Sequence, residues 1–272
     1  MSFDFKGKVV FITGGSIGIG AKVIEYLLDE NVKHVAFLDV TEDKGVALQT
    51  ALSKKYGASK VKFFKCDVTD EDCLMGVYDA VLSDQGYIDV VINNAGIMND
   101  SKEKYKKEIE INVTALVTST LKAIDIMSKE KGGKGGVVLN MSSIAALFQD
   151  PLLPIYYATK SAVLQFSNCI GLPEYYDRTG VRVLTICFGA TDTSLLSEAK
   201  LGNFDKEIEK NMMNIVRSHP SQKVESAALG VIGSIKHGES GSTWLSIADK
   251  PVRDVTEVVK KAYSILSELV FN

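Results

Sequence analysis

Histidine and cysteine are scarce in this sequence and never cluster. The three histidines, His34, His219 and His237, lie far apart, so a zinc site of imidazoles and thiolates has no ligand set to draw on. The four cysteines, Cys66, Cys73, Cys169 and Cys187, form no CxxC pair and no disulfide framework. They read as reduced, mostly buried thiols of a reducing compartment, which points to a cytoplasmic protein. No run approaches the roughly 20 apolar residues of a membrane span. The opening stretch, with Asp4, Lys6 and Lys8, lacks the apolar segment of a signal peptide. An excess of one charge sign is missing as well. Lys and Arg number 31 against 34 Asp and Glu, a net charge of −3, which removes the basic field that nucleic acid or an anionic membrane would need. Where charges crowd, Lys102, Lys104, Lys106 and Lys107 alternate with Glu103 and Glu108, and the segment reads as a solvated helix face.

What is present is a rhythm. Short β-branched runs at Val9–Ile12, Val35–Leu38, Val61–Phe64, Val90–Ile92, Val137–Leu139 and Val181–Ile186 alternate with helix-length segments at Ile19–Asp29, Lys44–Tyr56, Glu71–Ser83 and Glu103–Met127. A last run, Thr243–Ile247, completes the set. The alternation predicts an α/β fold: a Rossmann-type doubly wound sheet of about seven parallel strands, with helices on both faces. Apolar residues make up 46% of the 272, enough for one core in one domain. Residues 1–140 are expected to form a cofactor half and residues 141–272 a catalytic half that carries the substrate loop. The polar stretch Thr191–Ser221 breaks the rhythm and is expected to cover the site.

The first strand runs into Thr13-Gly14-Gly15-Ser16-Ile17-Gly18-Ile19-Gly20 and then a helix. Gly14 permits the sharp turn, Gly18 lets backbone approach a pyrophosphate, and Gly20 lets helix and strand pack closely. The helix N-terminus adds free N–H groups and a positive dipole. Gly14, Ser16, Ile17, Gly18, Ile19 and Gly20 are therefore expected to bind the cofactor, together with Asp39 and Val40 at the end of the second strand. Asp39 ends the second strand 19 residues beyond Gly20. A carboxylate there accepts both hydroxyls of an adenosine ribose and repels a 2′-phosphate. Val40 and Thr41 follow it, with no adjoining Lys or Arg, so NAD is expected rather than NADP. Asp67 and Val68 follow the third strand, where a side chain reaches an adenine. Asn94, Ala95 and Gly96 follow the fourth with small residues suited to lie against a cofactor.

Tyr156 and Lys160 are four apart, on one face of a helix. A phenol with a pKa near 10 is a poor base at neutral pH. A neighbouring ammonium and the positive ring of bound NAD favour the phenolate. A drop of roughly 3 units corresponds to about 4 kcal/mol. Ser143, just after the fifth strand, is placed to hydrogen-bond the reacting oxygen. Ser142 competes for that role, and Tyr157 is a rival phenol, only three residues from Lys160.

These motifs, in this order, resemble the short-chain dehydrogenase/reductase family from Lys8 to about Ile247. The resemblance implies that Tyr156 is the general acid/base and that Lys160 holds the nicotinamide ribose. It implies that Ser143 orients the substrate oxygen. Asn112, in Ile111-Asn112-Val113, would hold a proton-relay water near the lysine. Gly189, Thr191 and Thr193 match the family's cofactor amide contact, although Phe188 replaces the usual proline and predicts a looser loop. Pro173 is expected to kink or end the Tyr156 helix. Within the family the chain most resembles 15-hydroxyprostaglandin dehydrogenases, through Met127–Ser143, and insect-type alcohol dehydrogenases, through Trp244. Leu153 stands where prostaglandin-type members carry a polar group. With Leu147, Phe148, Leu152, Leu195 and Leu196 it predicts an apolar pocket for a lipid-like, steroid, terpenoid or small secondary alcohol.

The expected reaction is oxidation of that alcohol to a ketone with NAD. The same site would also run NADH-dependent carbonyl reduction. A silent NAD-binding relative is the remaining alternative, and it would be expected to have lost some of Asn112, Ser143, Tyr156 and Lys160. The resemblance further implies a homodimer or homotetramer joined through the Asn112 and Tyr156 helices, with Leu116, Val117, Leu121, Ile124, Val163, Leu164 and Phe166 as interface candidates.

Overall fold

A computed structural model describes residues 2–271. The chain opens with β1 (Val9–Thr13), α1 (Gly18–Asp29), β2 (His34–Asp39), α2 (Glu42–Tyr56), β3 (Val61–Lys65), α3 (Glu71–Gln85) and β4 (Val90–Asn93). Next come α4 (Tyr105–Ile109), a π-helical turn (Glu110–Ala115), α5 (Leu116–Met127), β5 (Gly136–Ser143), α6 (Pro154–Ile170), α7 (Pro173–Thr179) and β6 (Val181–Phe188). The chain ends with β7 (Ala190–Thr191), α8 (Lys206–Ser218), β8 (Ser221–Gln222), α9 (Val224–His237), β9 (Thr243–Ser246), β10 (Arg253–Asp254) and α10 (Thr256–Phe271).

The main sheet runs β10-β9-β6-β5-β4-β1-β2-β3. The strand order reverses between β1 and β4, which opens the crevice where ligands of such sheets bind. Seven of the strands are parallel, as the rhythm predicts. The eighth, β10, is an antiparallel edge of two exposed residues on β9, and so short a polar pair leaves no periodic signal. Strand residues alternate between two cores. Val10, Ile12, Val35, Phe37, Ile92, Leu139 and Ile186 meet α1, α2 and α9 on one face. Val9, Phe11, Leu38, Val91, Val138 and Val183 meet α3 and α5 on the other.

Three expectations about the helices change. The segment read as one helix to Met127 is broken by the π-turn around Asn112, a distortion that often marks functional sites. Glu108, read as part of a solvated face, is fully buried. Its alternation with lysines carries no helical period, so sequence gave no warning. Leu116, Val163 and Leu164, read as interface candidates, are buried inside the subunit, whereas Leu121 is half exposed. Pro173 acts as expected: α6 stops at Ile170 and Pro173 opens a new helix as its first residue. Among the described residues no helix is long and apolar enough to cross a membrane.

Candidate active site

The C-terminal ends of β1, β4, β5 and β6 open into one cavity of about 370 Å³, a size suited to a small-molecule site. One end is walled by the glycine turn. Gly14 (φ +65°) and Gly18 (φ +59°) sit in the left-handed region, and a Cβ on Gly14 would meet the Ala95 Cα at 2.8 Å. The turn is stitched to the end of β4. Thr13 Oγ1 accepts the N–H groups of Asn94 and Ala95 at 3.0 Å each, and the Asn94 amide donates to the carbonyls of Thr13 (2.9 Å) and Gly14 (2.6 Å). Gly20 does not line the cavity; a Cβ there would meet the Gly14 carbonyl oxygen at 2.4 Å, so its part is close packing. Ser16 does not line it either. Its N–H donates to Asp39 Oδ2 (3.1 Å), and its buried hydroxyl has no partner.

Asp39, Val40, Thr41, Cys66, Asp67 and Val68 continue this wall. Asp39 also accepts the Thr41 N–H at 2.9 Å, which aims the carboxylate along the sheet edge. Asp67 accepts from Thr69 and is paired with Lys107 at 3.1 Å. These contacts, with burial opposing them, hold its carboxyl below the ordinary range. These residues fit a dinucleotide. The first turn of α1 carries no acidic side chain and its cap makes no side-chain hydrogen bond, so its N–H groups are left for an anion.

Ser143, Tyr156 and Lys160 converge at the other end. Tyr156 and Lys160 share the inner face of α6, both nearly fully buried. The Tyr156 phenol faces Ser143 across the cavity wall, and Ser143 Oγ donates to the Phe188 carbonyl (3.4 Å) and receives the Ala145 N–H (3.1 Å). Ser142 points the other way and donates to the Lys160 carbonyl at 2.9 Å. Tyr157 also lines the cavity, but stacks edge-on against Phe148, with centroids 5.6 Å apart. Lys160 Nζ lies 5.6 Å from the Tyr156 ring centroid and donates to the Met141 carbonyl at 3.2 Å.

Burial pushes the phenol of Tyr156 above its ordinary value and the amine of Lys160 down to about 8. The sequence argument expected an acidified phenol. In the protein by itself, desolvation outweighs the neighbouring Ser143 at the phenol and the nearby Glu108 and Cys187 at the amine.

Asn112 does not line the cavity. Its side chain holds the main chain of Ile97 from both sides, accepting its N–H and donating to its carbonyl at 2.9 Å each, and donates to Thr159 at 3.2 Å. A Cβ on Gly96 would crowd Asn112 Oδ1 (3.2 Å) and touch Lys160 Nζ (3.6 Å), so a small residue here keeps the approach to the lysine open.

Gly189, Thr191 and Thr193 line the opposite wall. Despite Phe188, this loop is tied: Gly189 N–H donates to Ser246 (2.9 Å), and Gln222 donates to Thr191 (3.1 Å) and Ser246 (3.0 Å). Over the top, the segment between β7 and β8 packs Leu195, Leu196, Leu201, Met212 and Val216 against Met98, Leu152, Leu153 and Tyr156. Leu147 and Phe148, expected in the lining, are about 40% exposed and stand outside it, turned away by the 3₁₀ turn after β5. Sequence reasoning missed Met98, Val216 and His219, which line the cavity but belong to no motif.

Three comparisons bear on this site. The pattern of the short chain dehydrogenase family matches residues 8–203. A 15-hydroxyprostaglandin dehydrogenase [NAD(+)] from Macaca fascicularis is 35% identical over 204 residues, 75% of this chain and 76% of that protein. Alcohol dehydrogenase 1 from Ceratitis cosyra is 32% identical over 240 residues, 88% of this chain and 91% of that protein. The crystal structure of a levodione reductase superposes with a TM-score of 0.75, covering 90% of this chain and 97% of its own at 23% identity, a likeness of fold.

Proposed function

The chain belongs to the short-chain dehydrogenase family, and on that premise we propose that it oxidises a secondary alcohol to a ketone with NAD. The observation that carries this reading is the convergence of Ser143, Tyr156 and Lys160 at one end of a cavity whose other end is a bare helix N-terminus. Asp39 supports NAD over NADP, since a carboxylate in this wall accepts ribose hydroxyls and repels a 2′-phosphate. The relatives' names, one NAD(+)-linked and both dehydrogenases, agree with this direction.

When bound, NAD would supply the hydride acceptor and a positive charge, held by the glycine turn, Asp39 and Lys160. Ser143 holds the substrate oxygen by a hydrogen bond, and Tyr156 takes the hydroxyl proton as the carbonyl forms. Lys160, with its amine near 8, is poised to pass a proton onward at neutral pH. Asn112 fixes the backbone beside it. The lining of Met98, Leu152, Leu153, Leu196 and Val216 excludes water and favours an apolar skeleton. Exposed Leu121 on α5 is the starting point for the homodimer or homotetramer that we propose alongside the enzyme activity.

The test is a spectrophotometric screen of secondary alcohols, sterols and hydroxylated fatty acids with NAD and NADP, and of the matching ketones with NADH. NAD-linked oxidation of apolar alcohols is expected. Turnover confined to ketone reduction, or to NADP, would replace the proposal.

A further inference from the structure

Below the catalytic helix lie two carboxyl groups that no step above uses. Asp100 and Glu108 are both fully buried. Asp100 Oδ2 accepts the N–H of Ile155 at 2.6 Å, and its Oδ1 that of Tyr156 at 3.0 Å. It thus supplies from a distant loop the cap that α6 lacks, since the cap residue of α6 itself, Leu153, offers no side-chain acceptor. Glu108 Oε1 accepts the Asn99 N–H at 3.0 Å, whereas Oε2 has no N–H or O–H donor among the described residues. The acidic group facing Glu108 is the Asp100 carboxyl, which follows directly on the Asn99 whose N–H Glu108 accepts.

Two carboxylates have only lone pairs to offer each other, so this contact is a hydrogen bond only if one of them carries a proton. Burial raises the Asp100 carboxyl as well, but two backbone N–H groups and a helix N-terminus oppose it and favour its charged form. Glu108 has one N–H and a buried environment, which favour its neutral form. The charged and titratable groups facing the pair are Lys160 and Tyr156, both from α6.

We propose that Glu108 and Asp100 share one proton, carried by Glu108, and that the pair is a positioning device fixing the first turn of α6 and with it the Tyr156 phenol. Burial and the Asp100 charge, opposed by the Asn99 N–H, push the Glu108 carboxyl up to about 8, in keeping with an acid at neutral pH. A neutral Glu108 also leaves Lys160 without a full buried counter-charge. The positioning role rests on the reading of Tyr156 as acid/base; the shared proton does not.

The test compares wild type with Glu108→Gln, which keeps a donor to Asp100, with Glu108→Ala, and with Asp100→Asn. A folded-state value above the ordinary 4.5 means that the folded chain holds a proton the unfolded chain has released. Wild-type stability therefore falls as pH rises from about 5 to about 8, and the Glu108→Gln protein lacks that contribution. The melting temperature of wild type, measured against that of Glu108→Gln, should drop steadily across this window. Parallel melting curves would overturn the shared proton.

Hydrogen exchange in the peptide covering residues 153–160 reads the helix start. It should quicken ~10-fold or more in Glu108→Ala and in Asp100→Asn, as when a charge-assisted bond is lost, and stay within ~2-fold of wild type in Glu108→Gln. Unchanged exchange in Glu108→Ala and Asp100→Asn would overturn the positioning role. With cyclohexanol and NAD, kcat should fall in Glu108→Ala and be restored in Glu108→Gln, with KM for NAD unmoved. If wild type oxidises no alcohol in the screen, the proposed function fails, and melting and exchange still decide the pair.

Discussion

The floor and the roof of the cavity are built differently. The floor is held by directional bonds. Asn93 donates to Thr120 (3.0 Å) and Asn140 (2.8 Å), Asn140 to Ser167 (2.9 Å), and Ser119 to Asn93 (2.6 Å), all buried. This network ties β4, β5, α5 and α6 together directly beneath Ser143, Tyr156 and Lys160. The roof, between β7 and β8, meets the site through Leu195, Leu196, Met212 and Val216, which pack without fixed angles. A satisfied polar network holds one geometry, whereas methionine- and leucine-rich packing re-forms around different shapes. The chemistry belongs to the floor and the choice of substrate to the roof.

Five substitutions probe that division. On the floor, Tyr156→Phe should lower kcat by ~10³-fold, the scale of a lost acid/base. NAD affinity measured by calorimetry should stay within ~2-fold, because the phenol packs as before; a kcat within ~10-fold of wild type would break the division. Lys160→Met should separate stability from activity. Its amine falls from the ordinary 10.5 to about 8 in the folded chain, so between those values the unfolded state binds more protons. Wild-type stability from this group therefore rises with pH across that window, and below it the buried charge costs up to about 3 kcal/mol. Lys160→Met should melt higher than wild type at pH 7, lose turnover, and show a stability gap that closes toward pH 10.5.

At the cofactor wall, Asp39→Ala should reduce kcat/KM for NAD by ~10- to 100-fold, the worth of one or two bonds to a charged acceptor, and narrow the gap to NADP. In the roof the effects should be smallest. Leu196→Ala or Val216→Ala should raise KM for an apolar alcohol by ~3- to 10-fold through lost contact area, with kcat within ~2-fold. A kcat loss as large as that of Tyr156→Phe would place the roof in the chemistry.

How much of this was legible in the sequence follows the same division. The parallel strands, the glycine turn, Asp39 and the Tyr156–Lys160 pair were readable because each depends on spacing along the chain, through strand period, turn glycines or one helical turn. The π-turn at Asn112 was not, since one extra residue in a turn leaves the apolar pattern intact. Glu108 was misread because its burial is set by tertiary packing, which brings the Asn99 N–H to it from another segment. Met98, Val216 and His219 reach the cavity only through tertiary packing of the roof. The direction of the Tyr156 shift was misjudged for a related reason. Sequence spacing reveals the lysine, but the desolvation that raises the phenol comes from the whole fold.

The central claim is that Tyr156 becomes a base only when positive charge enters the cavity beside it. Carbon-13 NMR of ring-labelled tyrosine, with the Tyr156 resonance assigned by its loss in Tyr156→Phe, measures this directly. In the protein alone the phenol should stay protonated beyond the ordinary value near 10; with NAD it should ionise several pH units lower, and with NADH it should not. A Tyr156 titration that NAD leaves unmoved would contradict the account.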